Sequence, residues 1–152
     1  MAELLLSQSE HPARADAQDS KALMLAVEGG DVAMAERLLS QPEHPARANA
    51  RSSDALVLAV EGGDVAMAAL LLSQPEHPAR ADAQDSRALV LAAEIGDVAM
   101  AELLLSQREH PARADGWRSR GLFWALRRGH TAIAELLLSQ ELHPARADAL
   151  IT

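Results

Sequence analysis

The sequence predicts an all-α helical repeat solenoid of four full repeats preceded by an N-terminal half repeat. Three observations predict it. The tetrad His-Pro-Ala-Arg begins at His11, His44, His77, His110 and His143, a strict period of 33 residues, and a period of about 20 to 50 residues is the mark of a stacked array. Within each period the apolar residues recur at helical spacing. Apolar residues make up 49% of the chain but aromatics only 2%, so the core must be Ala, Leu, Val and Met, which suits close-packed helices better than sheets.

The units run 21–53, 54–86, 87–119 and 120–152, with 1–20 as the half repeat, and together form a single repeat domain, 1–152. In the half repeat, Glu3-Leu4-Leu5-Leu6-Ser7-Gln8 repeats Glu102-Leu103-Leu104-Leu105-Ser106-Gln107. It therefore reads as a second helix whose first helix is absent, a cut piece of a longer array or a designed end.

In the first full unit Ser20 precedes the apolar run and is expected to cap a first helix. Leu23, Ala26 and Val27 share one face of it. Gly29-Gly30 should end it, because Gly adopts the left-handed C′ conformation without penalty. Asp31 is placed to cap a second helix, whose stripe is Val32, Ala35, Leu38 and Leu39. Pro42 and Pro45 cannot continue that helix, and the residues before them, Gln41 and His44, are biased toward extended backbone. A long connection follows. Each unit is thus helix, tight turn, helix, long loop, and stability accumulates between neighbours along the stack.

Charge and composition exclude several functions. The net charge of −8 argues against nucleic acid as a partner, which needs a basic footprint. The chain has no cysteine, hence no disulfide framework or thiolate chemistry. Its apolar runs are too short to span a membrane. MAELLLSQSE lacks the basic start and long apolar centre of a signal peptide, so an intracellular (cytoplasmic) or recombinant protein is expected.

The repeated polar residues read as structural. The His-Pro histidines, one per unit, in units roughly 10 Å apart, make a ladder and not a zinc cluster, whose ligands lie about 2.1 Å from one ion. No metal site is expected. Asp16, Asp82, Asp115 and Asp148 share a register with Asn49. That exchange removes a charge but keeps an acceptor, as a turn hydrogen bond would allow. Ser20, Ser53, Ser86 and Ser119 recur in every unit, whereas a nucleophile is needed once. Asp31, Asp64 and Asp97 suit both capping and the helix dipole. With no paired carboxylates and no phosphate loop, neither a catalytic site nor a cofactor is expected.

The units resemble ankyrin repeats. Gly129-His130-Thr131-Ala132-Ile133-Ala134-Glu135-Leu136-Leu137-Leu138 is similar to that family's G-H-x-x-I-V-x-L-L-L, and Leu23 and Ala26 match the Leu and Ala of its first helix. The Thr-Pro-Leu-His opening is missing from every unit. Ser-Gln-Pro-Glu-His-Pro-Ala-Arg-Ala-Asp replaces the usual Gly-Ala-Asp, so a loop unlike the family's hairpin is expected. Near-identity of the units fits recent duplication or consensus-style engineering, and the lack of cysteine and the abrupt ends favour engineering. The resemblance implies a non-enzymatic binding scaffold whose loop tips and exposed first-helix face form a concave surface.

On that surface the last unit departs from the others. Trp117-Arg118 replaces Gln84-Asp85, Phe123-Trp124 replaces Val90-Leu91, and Arg127-Arg128 replaces Glu94-Ile95. Trp and Arg are the residues enriched in binding hot spots. Trp117, Arg118, Arg120, Trp124, Arg127 and Arg128, extended by Ile95, are the candidate protein-binding residues, and their cations suit an acidic protein partner. The competing expectation is a structural or self-assembling repeat. In it the same unit, an end cap, makes end-to-end or dimer contacts, and the uncapped ends, Ala149-Leu150-Ile151-Thr152 at one of them, stack into a homo-oligomer.

Overall fold

A computed structural model describes residue 14 and residues 17–42 and 45–140, with the side chains of 17–19 and 117 outside that description. The half-repeat helix, His11, His44, His143, Asp16, Asp148 and the final Ala-Leu-Ile-Thr lie outside it. The described residues form four helix pairs and no strand. They are α1 (Ala17–Glu28) with α2 (Val32–Leu39), α3 (Ala50–Glu61) with α4 (Val65–Leu72), α5 (Ala83–Ile95) with α6 (Val98–Leu105), and α7 (Gly116–Arg128) with α8 (Thr131–Leu138). First helices stack α1 on α3 on α5 on α7, and second helices stack behind them. This is the solenoid the period requires, and no described helix is long and apolar enough to cross a membrane.

The tight turns form as their sequence directs. Gly30 has φ +69°; its N–H donates to Val27 O, and Asp31 N–H to Ala26 O, at 3.0 and 2.9 Å. That is a Schellman closure, which only a left-handed residue completes without strain. Asp31, Asp64 and Asp97 then accept from Met34, Met67 and Met100 N–H at 3.0 Å, capping α2, α4 and α6. In the last turn His130 replaces the aspartate and makes no such bond.

The predicted stripes are buried except at Val32, which is only partly covered, and Val98 at the same register is 37% exposed. Leu23, Leu56, Leu89 and Leu122 have 1% exposure or less, as do Leu71, Leu104 and Leu137. Alanines fill the space between them: Ala26, Ala59, Ala92 and Ala125 are all core. A core of small and aliphatic side chains lets helices approach closely, so each pair rests on a broad face of the next.

The start of each first helix departs from expectation. Arg51, Ser52 and Ser53 have φ of 51°, 56° and 65°, and Gln84, Asp85 and Ser86 repeat this at 54°, 54° and 63°. The first turns of α3 and α5 are therefore left-handed and made of non-glycine residues, with Ser20 in α1 and Arg118 and Ser119 in α7 likewise at positive φ, a conformation costing roughly 1–2 kcal/mol per residue. The serines are not the predicted caps. Ser20, Ser53 and Ser86 are buried, and their hydroxyls accept from Arg47, Arg80 and Arg113 N–H at 2.8, 2.9 and 2.8 Å. Each fastens the return loop after a helix pair to the beginning of that pair's first helix, and this bond helps hold the left-handed turn.

The aspartates of the loop also differ from expectation. Asp82 and Asp115 accept two bonds from the guanidinium two residues earlier, Arg80 and Arg113, all at 3.1 Å, and neither caps a helix. Each pair lies in a tight turn, closed by Ala83 N–H to Arg80 O at 3.2 Å and by Gly116 N–H to Arg113 O at 3.0 Å, and the turn brings the fork onto the carboxylate two residues on. The hydrogen bond and charge of Asp115 raise the pKa of Arg113 above its ordinary value. Asn49 instead donates its backbone N–H to His77 O at 3.1 Å, linking one loop to the next.

Two glycines of α7 have opposite roles. A methyl group on Gly116 would stand 2.5 Å from Asp85 O, whereas one on Gly121 would meet Leu137 Cδ1 and Ala93 Cβ at 3.5 and 3.6 Å. Alanine holds both registers in earlier pairs, Ala55 and Ala88 for Gly121 and Ala50 and Ala83 for Gly116, so it is the local packing that separates the two. Gly121→Ala is expected to stabilise the chain by about 1 kcal/mol through helix propensity, and Gly116→Ala to destabilise it by about 1–3 kcal/mol through overpacking. Urea titrations of both variants check this, and equal midpoints would contradict the packing described.

Candidate functional site

The exposed side of the first helices is set by the buried side. With Leu122 and Ala125 in the core, residues 120, 124 and 128 of α7, spaced i, i+4, i+8, form a separate row on the helix surface. The structure brings three of the predicted residues together there. The Arg120 guanidinium carbon lies 6.0 Å from the Trp124 ring centroid and that of Arg128 lies 5.6 Å away, so the indole stands between two cations. Phe123 meets Trp124 edge to face, centroids 5.2 Å apart and planes at 76°. Cations near an indole face are attracted by its quadrupole, by about 0.5–1 kcal/mol each at exposed sites. The indole is half-buried, leaving part of it for contact.

The remaining predicted residues surround this row. Arg127 is exposed, one position before Arg128. Arg118 is exposed in the left-handed first turn of α7, with φ +56°. Ile95, 49% exposed, ends α5 at the register of Arg128. Trp117 stands in the first turn of α7, and its side chain lies outside the described residues.

Sequence reasoning missed Glu94. Its carboxylate accepts from Arg128 Nη2 at 3.3 Å, across from α5 to α7. This ion pair holds one arm of the indole clamp and is itself partly open to water, so its contribution to stability is small. The signal was available, since Glu94 precedes Ile95 and packing in register places residue 94 beside 127 and 128. Also missed was the column behind Trp124. Stepping back 33 residues gives Leu91, Leu58 and Leu25 on the same side of α5, α3 and α1. Leu25 is 58% exposed, and Leu58 and Leu91 are partly buried.

Elsewhere the surface offers shallow clefts. One of about 350 Å³ lies between return loops and includes Gln74, Gln107 and His110; another, of about 460 Å³, includes Asn49, Arg80 and Gln84. Several of their polar groups bond to neighbours or to backbone, as Gln84 Nε2 does to Ser52 O at 3.1 Å and to Asp54 Oδ1 at 2.8 Å, and Gln107 Nε2 to Leu103 O at 2.9 Å. Among the described residues no three His, Cys, Asp or Glu side chains gather as a metal site would require.

None of the curated proteins compared matches the chain. A family model described as ankyrin repeats matches residues 56–148 with three copies. That stretch takes in α4 to α8 complete, with their turns and return loops. With the stacked helix pairs, the Gly-Asp and Gly-His turns and the 33-residue period all in agreement, the chain belongs to the ankyrin repeat family, whose repeats generally mediate protein–protein interaction.

Proposed function

We propose that this chain is a non-enzymatic protein-binding module whose contact surface centres on α7. Trp124, between Arg120 and Arg128, is the anchor; Arg118, Arg127, Ile95 and Trp117 surround it, and the partner presents an acidic surface. The observation that carries this reading is the Arg120–Trp124–Arg128 row, an amphipathic indole with cations on either side in a chain of net charge −8. Anchors of this kind dominate interface energetics. A rigid stack offers them without the cost of ordering a loop. The cations steer an acidic partner toward the surface and set the salt dependence of association.

The test is selection of peptides from a random display library on the wild-type chain. The enriched ligands are expected to be acidic and to bind Arg127→Glu/Arg128→Gln at least tenfold more weakly, with a single cooperative melting transition retained and lowered only by the loss of the exposed Glu94–Arg128 pair and the Arg128–Trp124 contact. The fold tolerates glutamate at the first position, because Glu28, Glu61 and Glu94 hold that register in the other pairs. Ligands that bind the double variant as well as the wild type would refute the assignment.

One observation favours self-assembly as the second reading. Leu126 is 55% exposed, whereas Val27, Val60 and Ala93 at the same register are 5%, 1% and 0% exposed. A further unit or a second copy stacked on α7 and α8 would cover it. Light scattering over a dilution series separates the two readings. A monomer at every concentration removes this second one, and a dimer abolished by Leu126→Lys supports it.

A further inference from the structure

We infer that the surface is polarised along its length and takes a bipolar amphipathic helix in one orientation, acidic end over α7 and basic end over α1 and α3. This rests on the binding reading above and adds the partner's shape and direction. The apolar element is the column Leu25, Leu58, Leu91 and Trp124, one residue per helix pair. Packed helices lie about 8–10 Å apart, and seven residues of an α-helix rise about 10.5 Å. A helix laid across the four first helices with an apolar residue every seventh position therefore presents one such residue to each pair. Extended chain rises about 3.3 Å per residue and alternates its faces, so every third residue would match the spacing but successive contacts would point to opposite sides.

The charges beside this column change sign along it. Glu28 and Glu61 are exposed at one register of α1 and α3, Glu94 follows on α5, and Arg127 takes the place on α7. Arg128 then adds a second cation where Gly29, Gly62 and Ile95 stand. The boundary is occupied by the Glu94–Arg128 pair at 3.3 Å. Cations in the first three pairs do not reverse the pattern. Arg51 pairs with Asp54 at 3.7 Å; Lys21, Asp54 and Arg87 hold the register of Arg120, where the sign alternates, so the segregation is carried by the register of Glu28, Glu61, Glu94 and Arg127 together with Arg128. A uniformly acidic helix would meet repulsion at Glu28 and Glu61, and a uniformly basic one at Arg127 and Arg128. A helix with its charges segregated meets neither, and like-charge contact is what rejects the reversed orientation.

The experiment uses two synthetic helical peptides of identical composition, each with leucine at every seventh position over four heptads. One has its glutamates at one end and its lysines at the other; in its isomer the same charges alternate. Both tryptophans of the chain lie in α7, so their emission reports which end of a peptide arrives there. The segregated peptide is expected to bind about tenfold tighter than the isomer. A quencher on its acidic end should reduce tryptophan emission, and the same quencher on its basic end should not. Equal affinities, or equal quenching from both ends, would overturn the polarity and leave the α7 surface intact. Binding of display-selected acidic ligands that depend on Arg127 and Arg128, with no binding of either helix, would overturn the helical partner alone. If neither helix binds and no ligand depends on those residues, the binding reading fails together with this one.

Discussion

Ser53→Ala/Ser86→Ala is expected to lower the stability of the chain by about 2–6 kcal/mol, a large part of what a domain of this size possesses. Each hydroxyl accepts the backbone N–H of Arg80 or Arg113 at 2.9 or 2.8 Å, and each serine is at least 99% buried. Removing the acceptor leaves a part-buried N–H unpaired, at about 1–3 kcal/mol per site. Alanine also keeps the left-handed backbone, φ 65° and 63°, so it recovers nothing. Ser53→Gly/Ser86→Gly is the informative companion. It loses the same bonds but relieves the backbone cost at both positions, so its stability should lie between the alanine variant and the wild type. Because the bonds lie in adjacent helix pairs, the loss should appear as one cooperative transition at a lower urea midpoint. A shift below about 0.5 kcal/mol would mean that water replaces the serines and that the loops are held by other contacts.

Trp124→Ala is expected to weaken a ligand selected on the wild-type chain by about 30-fold or more, the cost of about 2 kcal/mol or more that hot-spot tryptophans carry. The substitution removes the apolar anchor and the ring to which Arg120 and Arg128 are drawn at 6.0 and 5.6 Å, so two cations lose their positioning as well. Trp124→Leu restores the residue of the other pairs, Leu25, Leu58 and Leu91. It should retain the fold and recover part of the affinity. Calorimetric titration of one selected ligand against the three chains checks this. Affinities within twofold of one another would show that the indole is a packing residue and no anchor.

The fold was legible because its determinants are local and repeated. Gly30 and Asp31 specify a turn within a few residues, and Leu23, Ala26 and Val27 specify a face within one helix. The serines were misread because their partners are 27 residues away in the return loop, a distance at which a single sequence carries no pairing signal. The left-handed turns left no trace in composition either. Arg51-Ser52-Ser53 and Gln84-Asp85-Ser86 contain no glycine, the residue that normally announces positive φ. The pairing of Arg80 with Asp82 was readable in principle, from opposite charges two residues apart in one tight turn. The candidate surface was legible as a break in the repeat at Trp117, Trp124, Arg127 and Arg128. Glu94 and the leucine column carry no such break, and they emerge only when the units are stacked in register.

The central claim is that partners bind on the exposed face of the first helices with α7 as the anchor. Amide chemical shifts recorded while a selected acidic ligand is added to the ¹⁵N-labelled chain test it most directly. The expected result is a continuous set of shifts at 118–128, with Glu94 and Ile95, fading through Leu91 toward Leu58, and little change in α2, α4 or α6. Shifts concentrated in the return loops, at 73–82 and 106–115, or on α8 alone would contradict the account and move the binding site to another face.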